Sequence, residues 1–263
     1  MARSAILNIM CQAASKAGRS LTRDFGEVEN LQVSRKGPAD FVSNADKSAE
    51  KIIFEELQYA RPTYSFLMEE GGEVKGSDGQ HRWIIDPLDG TTNFLHSIPL
   101  FAVAIALERN GEIVASVIYN PIMEELYTAE RGAGAWLNNR RLRVAGRKKL
   151  ADAVLSTGIK VTGTSNDAKA MKQLAAISPT CAGIRRTGSA CTDLAWLAAG
   201  RFDGYWEAKL SPWDIAAGLL LVREAGGFVT DLSGKDKAIE KGEVLAGNEQ
   251  IHGSLLKALK AID

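Results

Sequence analysis

Hydrophobic positions switch between helical and strand periods along the whole 263-residue chain. Ile6, Ile9, Met10, Ala13, Ala14 and Ala17 recur at helical spacing and predict an amphipathic first helix. The polar residues Gln12, Ser15 and Lys16 continue that pattern, which favours a helix of the mature protein over a signal segment. A short strand is predicted near Leu31 to Ser34, then a loop containing Lys36-Gly37-Pro38-Ala39-Asp40. A second helix starts at about Ser43, with Ala45, Ala49, Ile52, Ile53 and Leu57 on one face. Ser65 to Met68 reads as a strand running into Glu69-Glu70-Gly71-Gly72, and the polar stretch from Glu73 to His81 as a loop. Trp83-Ile84-Ile85 is a buried strand that stops at Asp86, with Pro87 fixing a turn before Asp89. Asn110-Gly111 between two apolar runs, 102–107 and 113–119, is a strong hairpin signal. Leu126 to Thr128 and Ala135 to Leu137 continue this antiparallel region.

From Val154 onward strands and helices alternate. Strands are expected at 154–158, 183–187, 202–208, 227–231 and 244–246; helices fall at 168–177, 189–199, 212–225 and the C-terminus. The basic segment Arg147-Lys148-Lys149 between the halves reads as a solvated connection. The expected organisation is therefore an N-terminal α+β part, residues 1–146, and a C-terminal α/β part, residues 147–263. There is no internal repeat and no low-complexity segment.

Composition narrows the chemistry. Hydrophobic residues make up 45% and charged residues 24%, as in ordinary globular proteins. Lys+Arg and Asp+Glu are both 32, so bulk charge gives no reason to expect nucleic acid or an anionic membrane as partner. Apolar runs stop short of the roughly 20 residues a membrane span needs. Cys11, Cys181 and Cys191 are odd in number and widely spaced, which fits buried thiols in a reducing compartment; the cytoplasm is the expected location. His81, His96 and His252 are scattered, so any metal here is expected to be a hard, oxygen-bound ion rather than zinc.

Candidate ligands are acids. Glu69 lies at one strand end, Asp86 and Asp89 at another, and Asp214 at a helix start. Each has a plain structural alternative. Asp214 sits three residues after Ser211, and Asp46 three after Ser43, so both suit helix capping; Asp86 and Asp89 suit a turn, and Glu69-Glu70 a solvated loop. Convergence would change the balance. Two carboxylates about 4 Å apart repel by roughly 4 kcal/mol at an effective dielectric of about 20, so a cluster must be protonated or neutralised by cations. Magnesium suits a site that keeps waters and takes phosphate oxygens.

Two segments carry a resemblance. Trp83-Ile-Ile-Asp-Pro-Leu-Asp-Gly-Thr-Thr-Asn-Phe94, and Trp213-Asp-Ile-Ala-Ala-Gly218 followed by Glu224-Ala-Gly-Gly227, look like the signatures of the inositol monophosphatase family. That family belongs to the magnesium-dependent, lithium-sensitive phosphatases. Glu69-Glu70 and the stretch Asp40 to Asp46 fall in the family's order, and the likeness covers nearly the whole chain. It implies a layered αβαβα sandwich and hydrolysis of a small phosphomonoester, most simply myo-inositol monophosphate. The implied cofactor is magnesium, two or three ions per site. Glu69, Asp86 and the Leu88 carbonyl would hold the first ion; Asp86, Asp89 and Asp214 the second; Glu69 with waters a third. Thr91 and Asp46 would position the attacking water, and Glu69 joins them as catalytic. Gly90 and Thr91 N–H groups would receive phosphate, while Ser189, Ala190 and Glu207 would contact the polyol. Lys36 matches a loop lysine of the family, in a stretch one residue shorter here than in animal relatives. The resemblance also implies a homodimer.

Rival readings stay within reach of the same residues. Asp-x-x-Asp-Gly-Thr is superficially similar to the aspartyl nucleophile motif of haloacid-dehalogenase-type phosphatases, but that chemistry uses aspartates two apart, without an intervening proline. On the same fold the substrate alternatives are histidinol phosphate, fructose 1,6-bisphosphate and 3′-phosphoadenosine 5′-phosphate. A non-catalytic regulatory or interaction role is the alternative of a different class.

Overall fold

The computed structural model describes residues 3–25, 33–37, 40–159 and 165–262, with side chains for all of these except 33–37, 40–43 and 165–167. In chain order the first part runs α1 (Ala5–Phe25), β1 (Val33–Gly37), β2 (Asp40–Ser43), α2 (Asn44–Ala60), β3 (Ser65–Met68), β4 (Gly72–Val74), β5 (His81–Asp89) and α3 (Thr91–Leu95). Five strands follow: β6 (Ala102–Arg109), β7 (Glu112–Asn120), β8 (Glu125–Glu130), β9 (Gly134–Leu137) and β10 (Arg140–Arg141). The second part runs β11 (Val154–Thr157), α4 (Ser165–Ile177), β12 (Gly183–Arg185), α5 (Ala190–Ala198), β13 (Gly204–Ala208), α6 (Pro212–Glu224), β14 (Phe228–Thr230), α7 (Ala238–Lys241), β15 (Glu243–Gly247) and α8 (Glu249–Lys260).

Strands β3 to β10 form an eight-stranded sheet in the order β10-β9-β8-β7-β6-β5-β3-β4, antiparallel except where β3 runs parallel to β5. A five-stranded sheet has the order β12-β11-β13-β15-β14, parallel across its first three strands and antiparallel at β15. Period-2 alternation sorts the side chains of these strands between layers. Trp83 and Ile85 on β5, with Val103 and Ile105 on β6, pack against Met10, Ala14, Ile53 and Leu57 of α1 and α2. Their neighbours Ile84, Ala104 and Ala106 turn the other way, onto Leu194, Ile215 and Leu219 of α5 and α6. In the small sheet Tyr205 joins that central helix layer, whereas Trp206 and Leu245 face Ile251 and Leu255 of α8. The result is a layered αβαβα sandwich, with α5 and α6 buried between the sheets.

Several elements follow directly from local chemistry. Asn110 and Gly111, at φ 52° and 82°, make the two-residue turn between β6 and β7 that the Asn-Gly signal predicts. Other elements differ from the pattern reading. Strand β1 runs on through Lys36 and Gly37, and Asp40 opens β2, so the expected loop is a hairpin whose Pro38 and Ala39 lie outside the described residues. Gly72–Val74 pairs with β3 as an exposed edge strand where polarity alone indicates a loop. The short α7 has no hydrophobic period to announce it. Cys11 and Cys191 are buried thiols, as expected, but Cys181 is partly exposed. Among the described residues no helix is long and apolar enough to cross a membrane.

Candidate active site

The site begins with a correction to β5. The strand does not stop at Asp86; it continues to Asp89 through a bulge. Asp86 pairs with Ala104 and Asp89 with Ala102, so three steps on β5 oppose two on β6. Without the extra residue, positions i and i+3 would face opposite sides of the sheet; with it, both aspartates lie opposite alanines of one face, the face covered by α5 and α6. Pro87, lacking an N–H, is tolerated here because the ladder is already interrupted. The Leu88 N–H donates back to Asp86 Oδ1 at 3.0 Å.

Three other elements bring acids to this bulge. Met68, the last residue of β3, lies opposite Ile85 in the parallel pair, and the next N–H, of Glu69, donates to the Ile85 carbonyl at 3.3 Å. Asp214 is the third residue of α6, where its Oδ2 accepts the Ser211 N–H at 2.7 Å in a capping box. Capping and membership of the acid group are thus compatible. Ser189 caps α5; its Oγ donates to Asp89 Oδ2 at 2.6 Å, and the Cys191 N–H donates to the same oxygen at 2.6 Å.

The charges report the convergence. Burial pushes the Asp86 carboxyl well above the ordinary aspartate value, and Glu69, Asp89 and Asp214 each push it further, against one lowering hydrogen bond from Leu88 N–H. Asp89 is pushed up to about 6 by burial first; Ser189 Oγ pulls it down, Asp214 raises it, and Cys191 pulls it down again. Among the described residues no three His, Cys, Asp or Glu side chains stand as a ready-made metal cage. The donor set is nevertheless all carboxylate and carbonyl oxygen, mutually repulsive, with Asp86 buried and Glu69, Asp89 and Asp214 half-buried around it, which fits a hard divalent cation.

Beside the acids, Thr91 Oγ1 lies 3.0 Å from Asp46 Oδ1 and 3.1 Å from the Leu88 carbonyl, and its one proton goes to one of these acceptors at a time. Asp46 is 1% exposed on the first turn of α2, so it is a buried partner of Thr91. Gly90 sits at φ 98°, and a Cβ there would meet the Leu100 carbonyl oxygen at 3.0 Å, so glycine is required where the chain turns from bulge to α3.

A cavity of about 100 Å³ opens on Asp89, Asp214, Ser189, Ala190 and Glu207. Glu207 is buried on β13, with its Oε2 accepting from the Tyr205 hydroxyl at 2.6 Å. A Cβ at residue 158 would stand 2.0 Å from Glu207 Oε1, so Gly158 is what lets this carboxylate lie there. A larger cavity of about 330 Å³ continues past Glu207, away from Asp86 and Asp89. The structure therefore brings together Glu69, Asp86, Leu88, Asp89, Gly90, Thr91, Asp46 and Asp214, and sets Ser189, Ala190 and Glu207 along the adjoining cleft. The Lys36 side chain lies outside the described residues. Sequence reasoning missed Asn93, Gly158 and Asp193. Asn93 Nδ2 donates to the Leu100 and Thr187 carbonyls at 2.6 and 2.7 Å, tying the bulge region to the chain before α5. Asp193 lines the cleft but reads as an ordinary acid of a helix's first turn.

Known proteins resemble the chain along nearly its whole length. Inositol-1-monophosphatase of Mesorhizobium japonicum is 64% identical over 260 residues, covering 99% of this chain and 98% of the relative. The Nus factor SuhB of Vibrio cholerae is 44% identical over 255 residues, covering 97% of this chain and 96% of its own. The crystal structure of extragenic suppressor protein suhB from Bartonella henselae superposes with a TM-score of 0.96 at 59% identity, over 98% of this chain and 99% of that one. The inositol monophosphatase family model spans residues 2–263, and with it the acid-lined bulge and its cleft: the chain belongs to the inositol monophosphatase family.

Proposed function

We propose that this chain is a magnesium-dependent phosphoric monoester hydrolase whose main substrate is myo-inositol monophosphate, cleaved to myo-inositol and phosphate by water without a covalent intermediate. The observation that carries the reading is the convergence of Glu69, Asp214 and Asp89 on Asp86, with Thr91 and Asp46 alongside.

Glu69, Asp86 and the Leu88 carbonyl are assigned to a first magnesium ion, Asp86, Asp89 and Asp214 to a second, and Glu69 with waters to a weaker third. Magnesium, when bound, offsets the clustered negative charge, polarises the phosphate and acidifies a water. The remaining work falls to the protein. When the Thr91 hydroxyl donates its hydrogen bond to Asp46, its oxygen lone pairs are free to accept a hydrogen bond from the attacking water, so the pair aims that water. Backbone N–H groups at Gly90 and Thr91 meet the phosphate. Ser189 Oγ and Cys191 N–H fix Asp89 at one angle, so the cleft geometry is set before substrate arrives. Ser189, Ala190 and Glu207 take the polyol. In this division of labour residues 1–146 carry most of the metal ligands, and residues 147–263 supply Asp214 and the polyol contacts.

A phosphate-release panel with inositol, histidinol, fructose and nucleotide phosphates, with and without Mg²⁺, tests the reading. Magnesium-dependent release that is fastest on inositol monophosphate is expected, with inhibition by millimolar lithium. Release on none of these esters would sink it. A second reading, a regulatory or interaction role, is favoured by one observation, the likeness to a relative named as a Nus factor. The two are compatible; the retained acids support catalysis in either case. We also take the protein to be a cytoplasmic homodimer, which sedimentation of the purified chain checks for assembly.

A further inference from the structure

Residues 1–146 and 147–263 are tied together at the site at Asp89 and again at Asn93. At Asp89 the tie is the pair of donors from Ser189 Oγ and the Cys191 N–H. Asn93, the third residue of α3, is 8% exposed, and its Nδ2 donates to the Leu100 and Thr187 carbonyls at 2.6 and 2.7 Å. Both protons of the carboxamide nitrogen are thereby used, and each holds backbone that borders the site. The Leu100 carbonyl oxygen is the atom that a Cβ at residue 90 would meet, and Thr187 leads through Gly188 into Ser189.

Gly188 brings the two segments close. It sits at φ 84°, and a Cβ there would stand 3.1 Å from both Nδ2 and Oδ1 of Asn93, so the carboxamide lies against the bare Cα of this turn. The turn is locked in its own right. The Thr187 hydroxyl donates to the Ser189 carbonyl at 3.2 Å, and the Ser189 N–H donates to Thr187 Oγ1 at 3.3 Å. The contacts close a ring that runs from Asp89 along the chain to Asn93, across to Thr187 and Ser189, and back to Asp89. Asparagine fits this place because one nitrogen supplies two donors. Alanine has none, aspartate sets a carboxylate against two carbonyls, and glutamine carries the amide one methylene further out.

We propose that Asn93 is a positioning residue: by holding the Thr187–Gly188 turn it sets Ser189 on Asp89, and so orients a carboxylate assigned to magnesium. This rests on the reading of the acid group as a magnesium site. A group that orients a metal ligand by a hydrogen bond typically contributes about 10–100-fold to affinity for the ion. Asn93 acts one step further out, through Ser189. Removing either therefore releases the same constraint on Asp89, and removing both releases it only once.

The test is the Mg²⁺ affinity of the substrate-free protein, by isothermal titration, with the Tm in chelator measured beside it. Wild type is compared with Asn93→Ala, Asn93→Gln, Ser189→Ala and the double variant Asn93→Ala/Ser189→Ala. Asn93→Ala and Ser189→Ala are each expected to weaken Mg²⁺ binding about tenfold. The double variant is also expected to lose about tenfold, where independent roles would give about a hundredfold. Asn93→Gln, which keeps both donors on a longer arm, is expected to recover part of the affinity. Additive losses would overturn the proposal. So would a lower Tm for Asn93→Ala with Mg²⁺ affinity unchanged, which makes the residue a structural tie and nothing more. If Asn93→Ala does not fold, the same cycle is read with Asn93→Ser. Wild type that takes up no Mg²⁺ would remove the reading of the acids on which the proposal rests. Wild type that takes up Mg²⁺, with no coupling between the two positions, removes only the role of Asn93.

Discussion

Asp86 and Asp231 are both buried aspartates, 2% and 0% exposed, yet the chain treats them in opposite ways. Burial pushes the Asp231 carboxyl up, but Lys241, the Lys235 N–H and Ser233 outweigh it and hold the group well below the ordinary range. Its Oδ1 accepts from the Ser233 N–H, Ser233 Oγ and the Lys235 N–H at 2.9, 2.7 and 2.8 Å, and Lys241 Nζ stands 2.7 Å from Oδ2. Asp86 receives the Leu88 N–H and otherwise faces three further acids. One carboxylate is neutralised by the chain itself, so it fixes a turn. Among the described residues the other faces further acids and no cation, so its charge is balanced by a proton or by a cation taken up, which suits the role proposed for it.

The largest test of this contrast is Asp86→Asn. Activity is expected to fall by about 10³-fold or more in kcat/KM, because the shared ligand of both proposed ions is weakened. In chelator the same variant is expected to melt no lower than wild type, since a repelling charge has been removed. Phosphate release with Mg²⁺ and melting in chelator check the two halves. A steep loss of thermal stability would place Asp86 with Asp231, as a structural hub.

Asp231→Asn is expected to do the reverse. Losing a buried carboxylate with four donors around it should cost about 3 kcal/mol, a fall in Tm of about 6–12 °C for a chain of this size. Per folded molecule, kcat/KM should stay within about twofold of wild type. Differential scanning calorimetry beside steady-state kinetics checks it, and a selective loss of activity without unfolding would break the contrast.

The two regions also differ in their response to pH. Asp86 and Asp89 have raised values in the folded chain, so in chelator their contribution to stability is full below the unfolded aspartate value. It is lost as pH rises through the folded value, about 6 for Asp89. Asp231 has a lowered value, so its contribution is full above the unfolded value and is lost only as pH falls through its low folded one. The rise in Tm on adding Mg²⁺ is therefore expected to be several degrees larger near pH 7.5 than near pH 5, and to shrink in Asp86→Asn. An equal rise at both pH values would mean that the acids at the bulge do not take up the ion.

How legible was this from residues alone? The acids were, because a strand ending in Asp-Pro-Leu-Asp before Gly-Thr-Thr has few structural uses. The hairpin at Asn110-Gly111 was, because turn chemistry is local. The bulge was not: strand periodicity places Asp86 and Asp89 on opposite faces, and only the pairing to Ala104 and Ala102 shows one extra residue turning both inward. Strand β4 and helix α7 were missed because both are short and polar, held by their neighbours and not by an apolar stripe. Asp193 was missed because its burial and its cavity are tertiary facts. An acid on a helix's first turn reads the same whether it faces water or a cleft.

The smallest effect separates the two things that tame Asp231, its resident cation and its shell of donors. Lys241 is partly exposed, with a side chain at 39%, so its ion pair is screened by solvent, whereas the Ser233 and Lys235 N–H groups, though on exposed residues, are held by the backbone of the turn directly on the buried Asp231 Oδ1. Lys241→Gln is therefore expected to lower the Tm by roughly a third of the Asp231→Asn effect, and to raise the sensitivity of the Tm to acid only slightly. Melting curves of both variants across acid pH measure the ratio. If Lys241→Gln costs as much as Asp231→Asn, the nearby cation alone distinguishes this turn from the bulge at Asp86. If it costs a third, the difference lies in the number of donors in the turn, against which Asp86 receives the Leu88 N–H and faces the carboxylates of Glu69, Asp89 and Asp214.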